Sequence, residues 1–146
     1  MLIGQYKSKL TDKFRLAIPK KYREELGTEF VVARWYEKCL VLVAKEEWER
    51  LSRRLTGEGR IITTTVRDVD RFILGLAYEV KLDSQGRFIV PEKLLEHSGI
   101  RDEAVFVGLE DRVEIWSAQN WEELEKSVEE RATEAIEEIA KQEAGK

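Results

Sequence analysis

The sequence repeats itself at a spacing of 72 residues, and this repeat constrains the fold more than any other feature. The stretch "LTDKFRLAIP" (10–19) has the same outline as "LDSQGRFIVP" (82–91). Identical pairs at this offset include Tyr6 and Tyr78, Lys9 and Lys81, Leu10 and Leu82, Arg15 and Arg87, Pro19 and Pro91, and Gly27 and Gly99. Beyond the glycine the offset becomes 73, so that Trp48 aligns with Trp121. A repeat of this length predicts two structural units of the same kind.

Each copy carries the pattern of two strands, a helix, two more strands and a following helix. In "YKSKL" every second residue faces the same side, which is the period of a half-buried strand. Pro19 suits the first turn of a helix, and Gly27 suits its end. The β-branched runs "FVVAR" and "CLVLV" indicate the next two strands. The sequence therefore predicts two ββαββ units.

Helices are also expected over 44–55, over 65–77 and from Ser117 onward. The spacing of Thr65 and Asp68 is close to a capping box and would begin the second of these helices. The linker-like stretch "TGEGRIIT" is too short to separate two independent bodies. We predict a single domain, 1–146, whose parts are a first repeat at 5–55, a second repeat at 77–128 and a C-terminal helical tail at 129–146.

Charge is distributed unevenly along the chain. The net charge of −4 would by itself argue against a nucleic-acid partner. Residues 1–60 nevertheless carry 14 Lys and Arg against 9 Asp and Glu, a net of +5, and residues 61–146 carry 11 against 20, a net of −9. Residues 1–23 hold seven basic side chains and one acid, Asp12. Because salt screens charges more than about 8 Å apart, an acidic protein can present a locally basic face.

The inventory of reactive side chains is small. His97 is the only histidine, which excludes a site with several histidine ligands, and its place near a helix end suits the helix dipole. Cys39 is the only cysteine, so no intrachain disulfide forms, and it reads as a small buried residue. No glycine-rich loop has P-loop spacing. We expect no enzyme activity, no cofactor, no metal and no small-molecule substrate.

The sequence also bears on location and on the role of the tryptophans. No apolar run approaches the roughly 18 to 20 residues that cross a bilayer, and "MLIGQYKSKL" lacks the apolar core of a signal peptide. We expect a cytoplasmic protein with no membrane partner. Trp48 and Trp121 fall at equivalent helix starts, which favours packing in the core over stacking on single-stranded bases.

The hairpin turns are the remaining candidates for function. Arg15 recurs as Arg87 at the same place in both copies, and two like turns can meet DNA side by side. The planar fork of arginine can pair with guanine O6 and N7, whereas lysine mainly adds attraction to phosphates. The predicted DNA-binding residues are Lys13, Arg15 and Arg87, helped by Lys7, Lys9, Lys20 and Lys21.

The chain resembles the MraZ family, bacterial regulators of the division and cell-wall gene cluster, from residue 1 to about 125. The resemblance rests on a box of the type D-x-x-G-R-x-x-x-P that occurs twice, as "TDKFRLAIP" and as "LDSQGRFIVP". It rests also on "KYREELG", "CLVLVAKEEW" and "AVFVGLEDRVEIWSAQNW". It implies an α+β fold, namely an AbrB-like swapped-hairpin β-barrel of two tandem ββαββ repeats with packing helices. It also implies a ring-like homo-oligomer that binds double-stranded DNA, at short tandem repeats in the promoter of its own operon. A nucleoid-associated repressor of that operon is the expected function.

The family's DNA contacts carry over onto Lys13, Arg15 and Arg87, but the first box departs from the family pattern. Where the family reads Asp-Asp-Lys-Gly-Arg, this chain has Thr11 and Phe14 in place of the first aspartate and the glycine. A residue with a Cβ in a left-handed position costs roughly 1–2 kcal/mol. Phe14 therefore forces a different turn, is tolerated with strain, or places its ring against DNA sugars or a neighbouring subunit.

Two other functions are compatible with the sequence. An antitoxin on the same fold would use residues 117–146, with four bases and nine acids, to wrap a partner toxin. A ring that scaffolds other proteins would have no DNA affinity.

Overall fold

The computed structural model describes residues 1–56 and 63–145. The first half contains β1 (Leu2–Lys9), β2 (Arg15–Ala17), α1 (Lys20–Leu26), β3 (Glu29–Arg34), a 3-10 turn (Tyr36–Lys38), β4 (Leu40–Ala44) and α2 (Lys45–Thr56). The second half contains α3 (Thr64–Ile73), a 3-10 turn (Leu74–Leu76), β5 (Ala77–Lys81), β6 (Arg87–Ile89), α4 (Glu92–Ser98), β7 (Glu103–Glu110), β8 (Val113–Ser117) and α5 (Ala118–Ala144). The predicted ββαββ order with a following helix is confirmed in both halves.

The strands form a six-stranded antiparallel sheet and a two-stranded ribbon. The order in the sheet is β1-β7-β8-β4-β3-β5, and the ribbon pairs β2 with β6. The first strand of each half pairs in the other half, because β1 lies beside β7 and β5 lies beside β3. The ribbon likewise takes one strand from each half. Each half therefore contributes its first two strands to pairs with the other half, and neither half pairs these strands within itself.

The sheet has a core on each face, since successive side chains along a strand point to opposite faces and both faces are covered here. Phe30 and Val32 of β3 face one core, to which the ribbon, α1 and α4 contribute Leu16, Tyr22, Phe88 and Leu94. Val31 and Ala33 face the other core, beneath α2, α3 and α5. The ribbon and the long helices consequently lie on opposite sides of the sheet.

The helices that cover the second core begin and end close to the predicted places. Trp48 of α2 and Trp121 of α5 pack half-buried against that core, which confirms their predicted role. The predicted cap of α3 is wrong: the Thr63 hydroxyl accepts the Val66 backbone N–H at 3.2 Å, and the helix begins at Thr64. Three consecutive threonines offer equivalent caps, so the sequence pattern does not single one out. Most of the linker-like stretch, residues 57–62, lies outside the described residues.

Helix α5 extends beyond the body of the fold. The Ser117 hydroxyl accepts the Asn120 backbone N–H at 3.1 Å and begins the helix as predicted. Leu124 packs against the second core, but Val128, Ile136 and Ile139 further along are exposed. None of the helices that the structure describes combines the length and the apolar character needed to cross a membrane.

Candidate nucleic-acid interface

The two hairpin turns share one backbone arrangement despite their different sequences. In the first turn the Phe14 N–H donates to the Thr11 carbonyl at 3.0 Å, and the Thr11 N–H donates to the Arg15 carbonyl at 3.0 Å. In the second turn the Gly86 N–H donates to the Asp83 carbonyl at 3.1 Å, and the Asp83 N–H donates to the Arg87 carbonyl at 2.9 Å. The repeat that the sequence shows is therefore a repeat of turn geometry.

Phe14 adopts the backbone conformation of the glycine that it replaces. Its φ is 60°, and that of Gly86 is 76°, so both residues are left-handed. The alternative of a different turn is wrong, and Phe14 is tolerated with the strain that a Cβ meets there. Phe14 as a whole is 55% exposed.

Gly86 meets a second constraint that Phe14 does not share. A Cβ at Gly86 would lie 2.1 Å from Nη1 of Arg23, which reaches over the second turn from α1. The Nε of Arg23 is buried without a hydrogen-bond partner among the described residues. Sequence reasoning missed this packing, because Arg23 aligns with Leu95 in the other half and so carries no repeat signal.

A carboxylate holds the second turn and its arginine. One oxygen of Asp83, Oδ1, accepts the backbone N–H groups of Gln85 and Arg87, both at 2.9 Å. The other, Oδ2, accepts Arg87 Nε at 3.0 Å. The Arg87 backbone N–H is the largest cause of a lowered pKa of the Asp83 carboxyl, to which the Gln85 N–H and the Arg87 guanidinium add while slight burial opposes it.

The first turn replaces this carboxylate by a hydroxyl. Thr11 Oγ1 accepts the Arg15 backbone N–H at 3.0 Å, which is the counterpart of one of the Asp83 bonds. A threonine has no second oxygen for the guanidinium. Within residues 1–56 and 63–145, no carboxylate lies in ion-pair distance of Arg15. Arg15 is thus free to reach outward, while Arg87 is held in place.

The ribbon brings the two arginines together. Arg15 pairs with Ile89, and Ala17 pairs with Arg87, while Leu16 and Phe88 between them point into the core. Because side chains alternate along a strand, all four of the outer residues share the face that points away from the core. Arg15 and Arg87 are diagonal neighbours on this face, with Cα atoms roughly 7–8 Å apart.

The predicted lysines fall into two groups. Lys13 is exposed in the first hairpin turn. Lys20 and Lys21 are exposed at the beginning of helix α1. They lie near the ribbon, because the Ile18 N–H just before α1 donates to the Gly86 carbonyl at 3.0 Å. These three lysines can add positive charge around the two arginines.

Lys7 and Lys9 do not share this surface. They lie on the face of β1 opposite to Tyr6, which packs against the core on the ribbon side. Gln5, on the same face as Lys7, accepts the Trp121 indole N–H at 3.1 Å, so this face turns toward α5. Lys7 Nζ also lies 3.8 Å from a Glu103 carboxylate oxygen. The structure therefore separates these two predicted contacts from the ribbon arginines.

The single histidine contacts a backbone carbonyl, and the single cysteine is buried in the core. His97 Nε2 lies 2.7 Å from the Trp35 carbonyl oxygen, and burial is the largest cause of a lowered pKa of its ring. Cys39 is buried, and burial raises the pKa of its thiol. Across the part of the chain that the structure describes, no three His, Cys, Asp or Glu side chains are grouped so as to hold a metal ion.

The fold and the paired turns define a two-repeat protein with a basic ribbon, and comparison with known families identifies it further. A family model described as "MraZ protein, putative antitoxin-like" matches residues 1–72 and again residues 73–143. The chain belongs to the MraZ family, as its doubled box predicts.

Relatives align over most of their length and of this chain. One from Caldanaerobacter subterraneus subsp. tengcongensis is 39% identical over 130 residues, which cover 87% of this chain and 88% of the relative. One from Oenococcus oeni is 41% identical over 123 residues, covering 84% and 85%. One from Syntrophomonas wolfei subsp. wolfei is 36% identical over 140 residues, covering 96% and 94%. All three are named transcriptional regulator MraZ.

Proposed function

We propose that this protein is a DNA-binding transcriptional regulator that reads DNA through the ribbon of β2 and β6. One observation carries the proposal: Arg15 and Arg87 are diagonal neighbours on the exposed face of this ribbon. The major groove admits a two-stranded ribbon, and each bidentate arginine–guanine pair contributes about 1–3 kcal/mol of discrimination. The names of the relatives agree with a regulator.

The strand exchange supports a finer description of the fold. Pairing of β1 with β7, β5 with β3 and β2 with β6 is the arrangement expected of an AbrB-like swapped-hairpin barrel formed within one chain. In this proposal residues 5–55 and 77–128 are the two repeats of one domain, and 129–146 is a helical tail. The family model's division at residues 72 and 73 falls between the proposed repeats.

The proposed target is double-stranded DNA that carries short tandem repeats, in the promoter of the protein's own division and cell-wall operon. Two arginines on one ribbon reach only a few base pairs, which is too little to define an operator. A homo-oligomeric ring would place several ribbons on successive repeats, and linked sites gain roughly 100- to 10,000-fold in avidity when their spacing fits. We infer repression, a cytoplasmic and nucleoid-associated location, and no catalytic activity.

Lys13, Lys20 and Lys21 would contact phosphates around the arginines. Each phosphate that they neutralise would add to the salt dependence of binding. Lys7 and Lys9 would contribute only if DNA or a neighbouring subunit reached the β1 face.

Fluorescence anisotropy on a duplex with the repeats upstream of the gene, at two salt concentrations, tests the proposal. We expect tight binding that weakens with salt and with the removal of repeats. Arg15→Ala or Arg87→Ala should lose at least about fivefold in affinity, the lower end of one base contact. Arg131→Ala, on the exposed surface of α5, is the matched control and should bind as the wild type does. Binding that ignores salt, repeat number and both ribbon arginines would refute the proposal.

An antitoxin function is the second candidate, because the family description contains that word. Helix α5 offers exposed Val128, Ile136 and Ile139 on an acidic helix that a toxin could bind. Neutralisation of a toxin that is encoded beside the gene would support the antitoxin function. A scaffold ring would show neither this activity nor DNA affinity.

A further inference from the structure

The two ends of the ribbon differ in the side chains that surround their arginines. With the repeat offset of 72, Phe14 corresponds to Gly86, and Ile89 corresponds to Ala17. Arg15 therefore has two large apolar neighbours, whereas the arginine of the other end is beside a glycine and an alanine. We call Phe14, Arg15 and Ile89 the apolar end of the ribbon.

The members of the apolar end adjoin one another. Arg15 and Ile89 are cross-strand partners, and the Phe14 carbonyl accepts the Val90 N–H at 2.9 Å. Phe14 is 55% exposed. Ile89 is 58% exposed and lies on the same face as Arg15. Two large apolar groups thus flank the arginine that has no carboxylate partner among the described residues.

Folding does not explain why a phenylalanine occupies position 14. Among the described non-glycine residues with positive φ, the other three are charged, and Phe14 is the only apolar one. A bulky residue there is a genuine outlier and costs free energy, while its exposed ring recovers little by burial. Strain of this kind that persists at an exposed position points to a function of the ring.

We propose that the apolar end contacts the C5-methyl groups of thymines next to the base that Arg15 reads. This inference rests on the proposed function. In the major groove thymine is distinguished by its methyl group, which apolar side chains contact. Gly86 and Ala17 offer no comparable surface beside Arg87. The two ends of one ribbon therefore read different base pairs, and the DNA unit bound by one chain is asymmetric although the protein is a repeat.

The test replaces single thymines of the repeat duplex by deoxyuridine, which removes the methyl group and keeps the base pair. We expect the wild type to lose about fourfold in affinity at one or two positions, as for one buried methyl group. In Phe14→Ala and in Ile89→Ala, the difference in affinity between thymine and uracil duplexes should be smaller than in the wild type. Arg87→Ala should bind more weakly but keep the preference for thymine.

Two control variants distinguish the effect of the Phe14 ring on thymine preference from the effects of backbone strain and of exposed apolar residues in general. Phe14→Gly relieves the backbone strain and should lose the thymine preference as Phe14→Ala does. Ile139→Ala, on α5 with 60% exposure, should keep it.

The outcomes distinguish this inference from the function on which it rests. Tight, salt-dependent binding that no uracil substitution changes would overturn the methyl contact and leave the regulator intact. The same holds if Phe14→Ala and Ile89→Ala keep the full thymine preference. A wild type without affinity for the repeat duplex overturns both.

Discussion

Asp83 contacts Arg87 at two points, since Oδ1 accepts its backbone N–H at 2.9 Å and Oδ2 accepts its Nε at 3.0 Å. In the first turn Thr11 supplies only the first of these contacts. The exposed face of the ribbon consequently carries one arginine that is held in position and one that is free to adjust. A held side chain has less freedom to lose on binding, so the two arginines are unequal before DNA is present.

The Asp83 contact should make stability depend on pH. Because the pKa of the carboxyl is lowered in the fold, its stabilising effect is fully present above the ordinary aspartate value of about 3.9 and is lost as the pH falls through the folded-state value. Thermal unfolding should show the wild type melting above Asp83→Asn near pH 7, with the difference shrinking toward pH 3. A constant difference would contradict the charge contact. Other carboxyl groups titrate in both proteins and cancel.

Phe14 should destabilise the first turn. Phe14→Gly removes the Cβ from a left-handed position and should raise the free energy of unfolding by about 1 kcal/mol, after the greater freedom of glycine in the unfolded chain is allowed for. Phe14→Ala keeps the Cβ and removes only an exposed ring, so its stability should stay near that of the wild type. Urea unfolding measures both. Equal stability of the two variants would show that the turn stores no strain.

Gly86 should tolerate substitution poorly for two separable reasons. Gly86→Ala places a Cβ at φ 76°, which costs about 1–2 kcal/mol, and also displaces the Arg23 side chain from 2.1 Å away. Adding Arg23→Ala should recover the second cost but not the first. A double-mutant cycle by urea unfolding, with Arg23→Ala alone as the control, should give a coupling energy of about 1 kcal/mol. Simple additivity would mean that Arg23 moves away freely.

The repeat and the local patterns predict most of the secondary structure and the family. They also place Arg15 and Arg87 at equivalent positions, which the ribbon turns into neighbours. Register between strands far apart in sequence is harder to predict, because it depends on contacts between chain segments and not on local propensity. The alternation in "YKSKL" places Lys7 and Lys9 opposite Tyr6, but only the tertiary structure shows that the ribbon lies on the Tyr6 side of the sheet.

Close approach of backbones is equally invisible in the sequence. Gly108 pairs with Gly4, and a Cβ on Gly108 would lie 2.7 Å from the Ile3 nitrogen. Nothing local marks this position, since no turn or positive φ requires the glycine. The need arises only when β1 of one half lies against β7 of the other. Ile89 likewise becomes noticeable only when its exposure beside Arg15 is known.

Tyr22 should contribute to the joining of the two halves. Its buried hydroxyl donates to the Gly4 carbonyl at 2.5 Å and so connects α1 to the strand that pairs with β7. The ordinary tyrosine pKa of about 10 keeps this hydroxyl a donor at neutral pH, and burial raises its pKa further. Tyr22→Phe should lower the free energy of unfolding by about 1 kcal/mol, the usual net value of one such bond. Tyr36→Phe, at an exposed ring, is the matched control and should change nothing in urea unfolding. Equal stability of both variants would show that water replaces the bond at no cost, and that the packing of α1 rests on the ring alone.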